Sequence, residues 1–430
     1  MKYEKIDKKL FIENRKKFTS QMKSNTLAVF NSNDIYPVSA DSTMPFQQHR
    51  DILYLSGVDQ EESILVLFPD ASTKSHREIL FLKETSELIA IWEGEKLTKD
   101  AAFETSGIKT VYWLTQFENI FNQLMSEATG IYFNTNEHLR ANTQVQTREG
   151  RFIEQTKHKY PAHQVFKSAP ILHAIRSVKE QTEIELIQKA CDITKKGVER
   201  VLSYLKPGIW EYELEAEIIH EFIRNRSRGF AYTPIIASGK NACVLHYIEN
   251  NKQCKEGDVV LMDFGAEYAN YASDLTRCFP VSGRFTKRQK EVYNAVLHVK
   301  KEAEKMLVPG TLIPEYHKEV GKIMESQLKA IKLIDNTDIK NQNPENPAYK
   351  KYFMHGTSHF LGLDTHDYGL YHEKIKAGMV FTCEPGIYIP KEQLGIRLED
   401  DLVVQSKGGP HNLMSEIPIE IEEIEEIMNA

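Results

Sequence analysis

The sequence predicts an α+β protein in which an α/β domain precedes a larger mixed domain, and three observations carry that reading. At 430 residues the chain exceeds a single hydrophobic core, and at roughly 150 residues per domain it divides into two or three. Up to Asn136, short β-rich runs alternate with helical stretches. Beyond residue 175, long amphipathic segments stand between strand-like runs, the pattern of an α+β fold.

In chain order, residues 63–68 and 78–82 read as strands and Leu114 to Met125 as a helix, together a self-contained α/β unit. Between Thr147 and Ser177 the periodicity lapses into polar sequence punctuated by Pro161 and Pro170, which predicts a domain connection. The domains are therefore placed at residues 1–175 and 176–430. Ile184, Ile187, Cys191, Val198, Val201, Leu202 and Leu205 then keep helical spacing until Pro207-Gly208 ends the segment. Further helices are predicted from about Glu211 to Asn225, over 287–308 and over 314–331. Strands are predicted over 231–238, 258–264, 271–281, 378–389 and 395–405, and the acidic end from Glu416 to Ile427 reads as a solvated helix or frayed tail.

A hydrophobic fraction of 41% and a charged fraction of 27% belong to an ordinary soluble globular protein. A net charge of -7, with pI near 6.1, supplies no basic field for a polyanion, so nucleic acid is not an expected partner. Met1-Lys2-Tyr3-Glu4-Lys5 leads into mixed charge without a signal-peptide core, and no apolar run approaches membrane-spanning length. A cytoplasmic location and no membrane partner are the expectation. The five cysteines form no CxxC pair and are odd in number, so buried, inert, reduced thiols are expected.

The chemistry concentrates in four elements. Val259-Val260-Leu261-Met262 is apolar enough for a buried strand, yet it delivers Asp263, a carboxylate that needs compensation there. Asp274 follows on what reads as the return strand of a hairpin turning near Ala269-Asn270, so the two carboxylates can meet. The second element is His355-Gly356-Thr357-Ser358-His359 with His366 beyond; its first spacing mimics a zincin helix, but glycine stands where the catalytic glutamate belongs. Third, the apolar run 380–383 ends in Glu384 before Pro385-Gly386 breaks the strand. Fourth, strand alternation puts Arg397, Glu399 and Asp401 on one face and Ile396, Leu398 and Leu402 on the other.

Each element alone has a plainer reading, as solvated strand ends or ordinary histidines. Together, Asp263, Asp274, Glu384, Glu399 and His359 supply carboxylates and an imidazole whose charge two divalent ions would neutralise. Oxygen-rich ligation with a single histidine favours manganese, iron or cobalt, and remains compatible with catalytic zinc.

In this order the four elements resemble the pita-bread metallopeptidases: methionine aminopeptidase, prolidase and aminopeptidase P. The resemblance covers most of residues 177–430 and implies a pita-bread catalytic domain; the preceding α/β domain is similar to that of the two proline-directed members. It implies Asp263, Asp274, His359, Glu384 and Glu399 as ligands of two divalent metal ions, most simply manganese, with Asp274 and Glu399 bridging. It further implies that Glu384 shuttles the proton, that His246 and His355 act on the substrate carbonyl, and that His366 and Arg397 shape the proline side. Trp92, in Ile91-Trp92-Glu93-Gly94, resembles a tryptophan that reaches a neighbouring subunit's active site in that family, which implies a homo-oligomer, a dimer or tetramer. Ser358 and the run from His355 to His366 look more like aminopeptidase P than prolidase, so peptides with proline second are the expected substrates. Prolidase, and a pita-bread binding protein without catalysis, are the alternatives. Cys383 is expected to face away from Glu384 and lies outside the site.

Overall fold

The computed structural model describes residues 3–430, which form two compact units: Lys5–Arg176, and Ser177–Ala430 together with Tyr3 and Glu4. In the first unit, six strands lie in the spatial order Thr110–Trp113, Glu78–Leu82, Ile64–Leu67, Thr26–Asn31, Gly130–Phe133, Gln164–Lys167. The four inner strands are buried almost throughout, as their continuous apolar runs require of a sheet covered on both faces. Leu27, Val29, Val66, Phe81, Phe121 and Ile131 belong to one core cluster of this unit.

The predicted connection over 147–177 is instead structured. It holds the helix Arg148–Lys159, the edge strand Gln164–Lys167 and the helix Ala169–Ser177. The Thr147 hydroxyl caps the first helix by accepting the Gly150 N–H at 3.1 Å. The pattern is faint for a physical reason: the edge strand is mostly exposed and has no buried face to alternate against, and the helix buries only a short stripe.

The second unit is built on the helices Gln181–Tyr204, Glu211–Arg224, Lys287–Glu304 and Ile313–Ala330. The first buries Ile187, Cys191, Val198, Val201 and Leu202, the stripe read from its sequence. Leu275–Pro280, Val259–Phe264 and Ile235–Ser238 form one antiparallel sheet, and Val380–Cys383, Asp400–Val403 and His411–Asn412 form another. Gly386–Ile389 pairs with Leu394–Arg397. Glu267–Tyr268 pairs with Tyr271–Ala272 across a tight turn at Ala269 and Asn270, whose φ values of 53° and 70° place both in the left-handed region.

Three of the predicted strands are interrupted. Residues 271–281 break at Ser273-Asp274, 378–389 at Glu384-Pro385 and 395–405 at Leu398-Glu399. Each break carries a candidate carboxylate, and at each the backbone N–H leaves the regular ladder. Asp274 N donates to Asp401 Oδ2 at 2.9 Å, Glu384 N to Thr357 O at 2.8 Å, and Glu399 N to Thr276 O at 3.0 Å. The predicted 231–238 strand shortens to Ile235–Ser238, and the 287–308 helix ends at Glu304.

The acidic end is neither frayed nor wholly solvated: Ile421–Met428 is a helix with Ile421 and Ile424 buried. All five cysteines are free, but Cys243 is only half-buried, unlike the other four. No helix among the described residues is long and apolar enough to cross a membrane.

Candidate active site

The site is assembled where those strand breaks converge. Val259–Phe264 runs antiparallel to Leu275–Pro280 with Asp263 opposite Thr276, so Asp274, one residue before the partner strand, lands beside Asp263. The Tyr232 hydroxyl sits between them, 2.6 Å from Asp263 Oδ1 and 2.5 Å from Asp274 Oδ1. His359 Nε2 lies 3.4 Å from Asp274 Oδ2 and 3.6 Å from Glu384 Oε1. Ligand atoms of Asp274, His359 and Glu399 all fall within 4.8 Å of one another.

The Thr276 hydroxyl donates to Glu399 Oε2 at 2.6 Å, and Arg397 Nε donates to Thr276 Oγ1 at 3.1 Å. Another guanidinium nitrogen of Arg397 pairs with Asp263 Oδ2. Arg397 and Glu399 thus bond Asp263 and Thr276, and Asp401 accepts from the Asp274 amide, while Ile396, Leu398 and Leu402 are fully buried.

Hydrogen bonding places a proton on Nδ1 of two imidazoles. His359 Nδ1 lies 3.0 Å from Phe360 O, a carbonyl that only accepts, so Nδ1 carries a proton and Nε2 faces the carboxylates. At His355, Nδ1 lies 2.8 Å from Gly356 O and must donate, leaving Nε2 to accept from the Tyr388 hydroxyl at 2.7 Å. The Tyr388 oxygen in turn accepts from Arg397 Nη1 at 2.9 Å. His355 Nδ1 is also 3.6 Å from Glu384 Oε2. Burial, helped by Arg397, lowers His355 to about 3.

The carboxylates crowd one another. Burial, followed by repulsion from Asp274, Glu384 and Asp263, pushes Glu399 well above the ordinary carboxylate range. Burial raises Glu384 to about 7 against the pull of His359 and Arg397, and it raises Asp263 against the pull of Arg397. For His359 burial favours the neutral form, but the Asp274 and Glu384 carboxylates outweigh it and its pKa is raised. Glu399 Oε1 is buried with no hydrogen-bond partner. Clustered carboxylates, an orphaned oxygen and an imidazole nitrogen aimed at them fit divalent cations bound through oxygen and one nitrogen.

His366 is exposed at this edge, its ring 4.5 Å from that of His359. His246 is exposed. Cys383 is fully buried and does not join the ligand cluster; its thiol lies 3.7 Å from the Tyr316 hydroxyl. Trp92 lies in the other unit and is 81% exposed. Sequence reasoning missed Tyr232, Thr276, Tyr388 and, as a partner for Asp274, Asp401. For Thr276 and Asp401, the period-2 register with Asp274 and Glu399 was an available signal. The tyrosines offered none.

A family model for metallopeptidase family M24 matches residues 185–406, and a model for the aminopeptidase P N-terminal domain matches residues 11–132. The chain is 34% identical to an Xaa-Pro aminopeptidase of Escherichia coli, over 99% of this chain and 98% of that one. It superposes on a putative aminopeptidase P of Bacillus anthracis with TM-score 0.91 at 33% identity, covering 99% of each chain. Aminopeptidase P of E. coli with the inhibitor Pro-Leu gives a TM-score of 0.88 at 33% identity, again over 99% of each chain.

Proposed function

The chain belongs to metallopeptidase family M24, and on that premise we propose that it is an aminopeptidase releasing the N-terminal residue from peptides with proline second. One observation carries the reading: ligand atoms of Asp274, His359 and Glu399 gather within 4.8 Å in a buried site. Asp263 and Glu384 border that cluster and complete a ligand set for two divalent ions, manganese before cobalt, iron or zinc. When bound, such ions polarise the scissile carbonyl and lower the pKa of the attacking water.

Glu384 accepts the proton of that water and returns it to the prolyl nitrogen as the bond breaks. Its two oxygens face different imidazoles, His359 and His355, each at 3.6 Å, so one can stay near the ligand cluster while the other faces the substrate. His246 orients the peptide and stabilises the developing tetrahedral species, and His355, whose ring nitrogens are held by Gly356 O and the Tyr388 hydroxyl, positions the peptide. For His355 the needed orientation comes from the Arg397–Tyr388–His355 chain of hydrogen bonds. His366 and Arg397 border the proline side.

The active assembly is a homo-oligomer, dimer or tetramer, in the cytoplasm. Leu88, Ile91 and Trp92 are 65%, 77% and 81% exposed on one short helix, apolar surface that a second copy would cover. Metal-replete protein should release free N-terminal amino acid from a proline-second tripeptide and lose that activity to a chelator. Undiminished release by metal-free protein would contradict the proposal.

A further inference from the structure

Two neighbouring residues on the Ile313–Ala330 helix touch both of the segments that carry the imidazoles and Glu384. The Tyr316 hydroxyl lies 2.9 Å from Ser358 Oγ and 3.7 Å from Cys383 Sγ, so it meets the residue immediately before His359 and the residue immediately before Glu384. Next along, His317 Nδ1 accepts the Thr357 N–H at 3.2 Å, and Thr357 O accepts the Glu384 N–H at 2.8 Å. A backbone N–H can only donate, so Nδ1 must be the unprotonated nitrogen of His317. Consecutive helical residues diverge by about 100°, which lets one turn grip two successive residues of the loop.

We propose that Tyr316 and His317 are positioning residues for the reaction, setting the separation of His355 and His359 from Glu384 through Thr357, Ser358 and Cys383. The proposal rests on the metallopeptidase reading of the site and goes beyond it, since neither residue touches a candidate ligand side chain. Direct ties between the segments exist, from Thr382 N to His359 O at 3.0 Å and from His359 N to Thr382 Oγ1 at 3.2 Å. These fix the His359 end, and the Glu384 N–H to Thr357 O bond joins the segments at the other. The helix adds a constraint on both, holding Thr357 through His317, and Ser358 and Cys383 through Tyr316. It also gives Ser358 and Cys383 a role: both are buried, and both turn toward the helix.

The test compares His317→Phe, His317→Asn and Tyr316→Phe with the parent. Metal affinity is measured by competition with a chromogenic chelator, and kcat and KM on a proline-second tripeptide. His317→Phe keeps the ring but loses the acceptor, and should lower metal affinity about tenfold or more, as loss of an outer support does. Its kcat should fall with KM within about twofold of the parent. In His317→Asn the amide oxygen stands in for Nδ1, and most of the affinity and kcat should return. Equal losses in the Phe and Asn variants, or no loss in either, would overturn the proposal. If His317→Phe fails to fold, Tyr316→Phe decides: a fall in metal affinity supports the proposal and parent-like affinity overturns it. A parent that binds no metal overturns the site reading and this inference together, whereas a metal-binding parent with unaffected variants overturns this inference alone.

Discussion

Thr276 donates its hydroxyl hydrogen to Glu399 Oε2 at 2.6 Å, while Glu399 Oε1 lies buried without a partner. One oxygen is thereby fixed and the other left without a protein partner. Thr276→Val keeps the shape and removes the donor, so both oxygens lose their orientation. Metal affinity should fall about 10–100-fold, the usual cost of losing an outer-shell partner, with the circular dichroism spectrum retained. Parent-like affinity in a chelator competition would show that Thr276 does not orient Glu399.

Glu384→Gln removes the proposed proton acceptor and one anionic charge from a crowded buried site. Turnover should fall by about 10²-fold at least, the low end for loss of a general base, while the protein remains folded. A variant with near-normal kcat would remove Glu384 from the proton path.

His246→Ala should depress kcat by about a hundredfold, as for loss of one preorganised group acting on the developing charge, and His355→Ala by a similar factor through loss of peptide positioning. Metal content, read by elemental analysis, should stay at the parent value in both. Loss of metal instead would make that histidine a support of the ligand cluster.

In the N-terminal unit, Glu149 accepts from Asn31 Nδ2 at 2.7 Å, and burial raises it to about 7 from an ordinary 4.5. Because the folded pKa lies above the unfolded one, the stabilisation is fully present below pH about 4.5 and is lost as pH rises through about 7. Relative to Glu149→Gln, the parent should lose about 2–3 kcal/mol of stability in that unit between pH about 5 and about 8. Urea unfolding at the two pH values measures the difference. Equal pH dependence in parent and variant would place the Glu149 pKa near its ordinary value.

What the sequence made legible was chemistry at the ends of apolar runs. Asp263 and Glu384 stood out because a carboxylate closing a buried strand needs a partner, and the Ala269-Asn270 turn was readable from residues that tolerate positive φ. The strand breaks at Asp274 and Glu399 were not readable. Period-2 patterning continues across both, and only the partner geometry, Asp401 taking one amide and Thr276 O the other, interrupts the ladder. Tyr232 reaches Asp263 and Asp274 from 31 and 42 residues away, a contact that no local pattern encodes. Over 147–177, an exposed edge strand and a narrow helical stripe left too little apolar periodicity to reveal the elements.

The central claim is that the site cleaves ahead of proline and accepts a chain continuing beyond it. Kinetics on a tripeptide with proline second, on the corresponding dipeptide and on the tripeptide with alanine second test it most directly. The proposed reading predicts the highest kcat/KM for the proline tripeptide, with the alanine analogue losing much of the rate because the proline pocket is left unfilled. A clear preference for the dipeptide would make the enzyme a prolidase, and equal rates for the proline and alanine tripeptides would contradict proline-directed cleavage altogether.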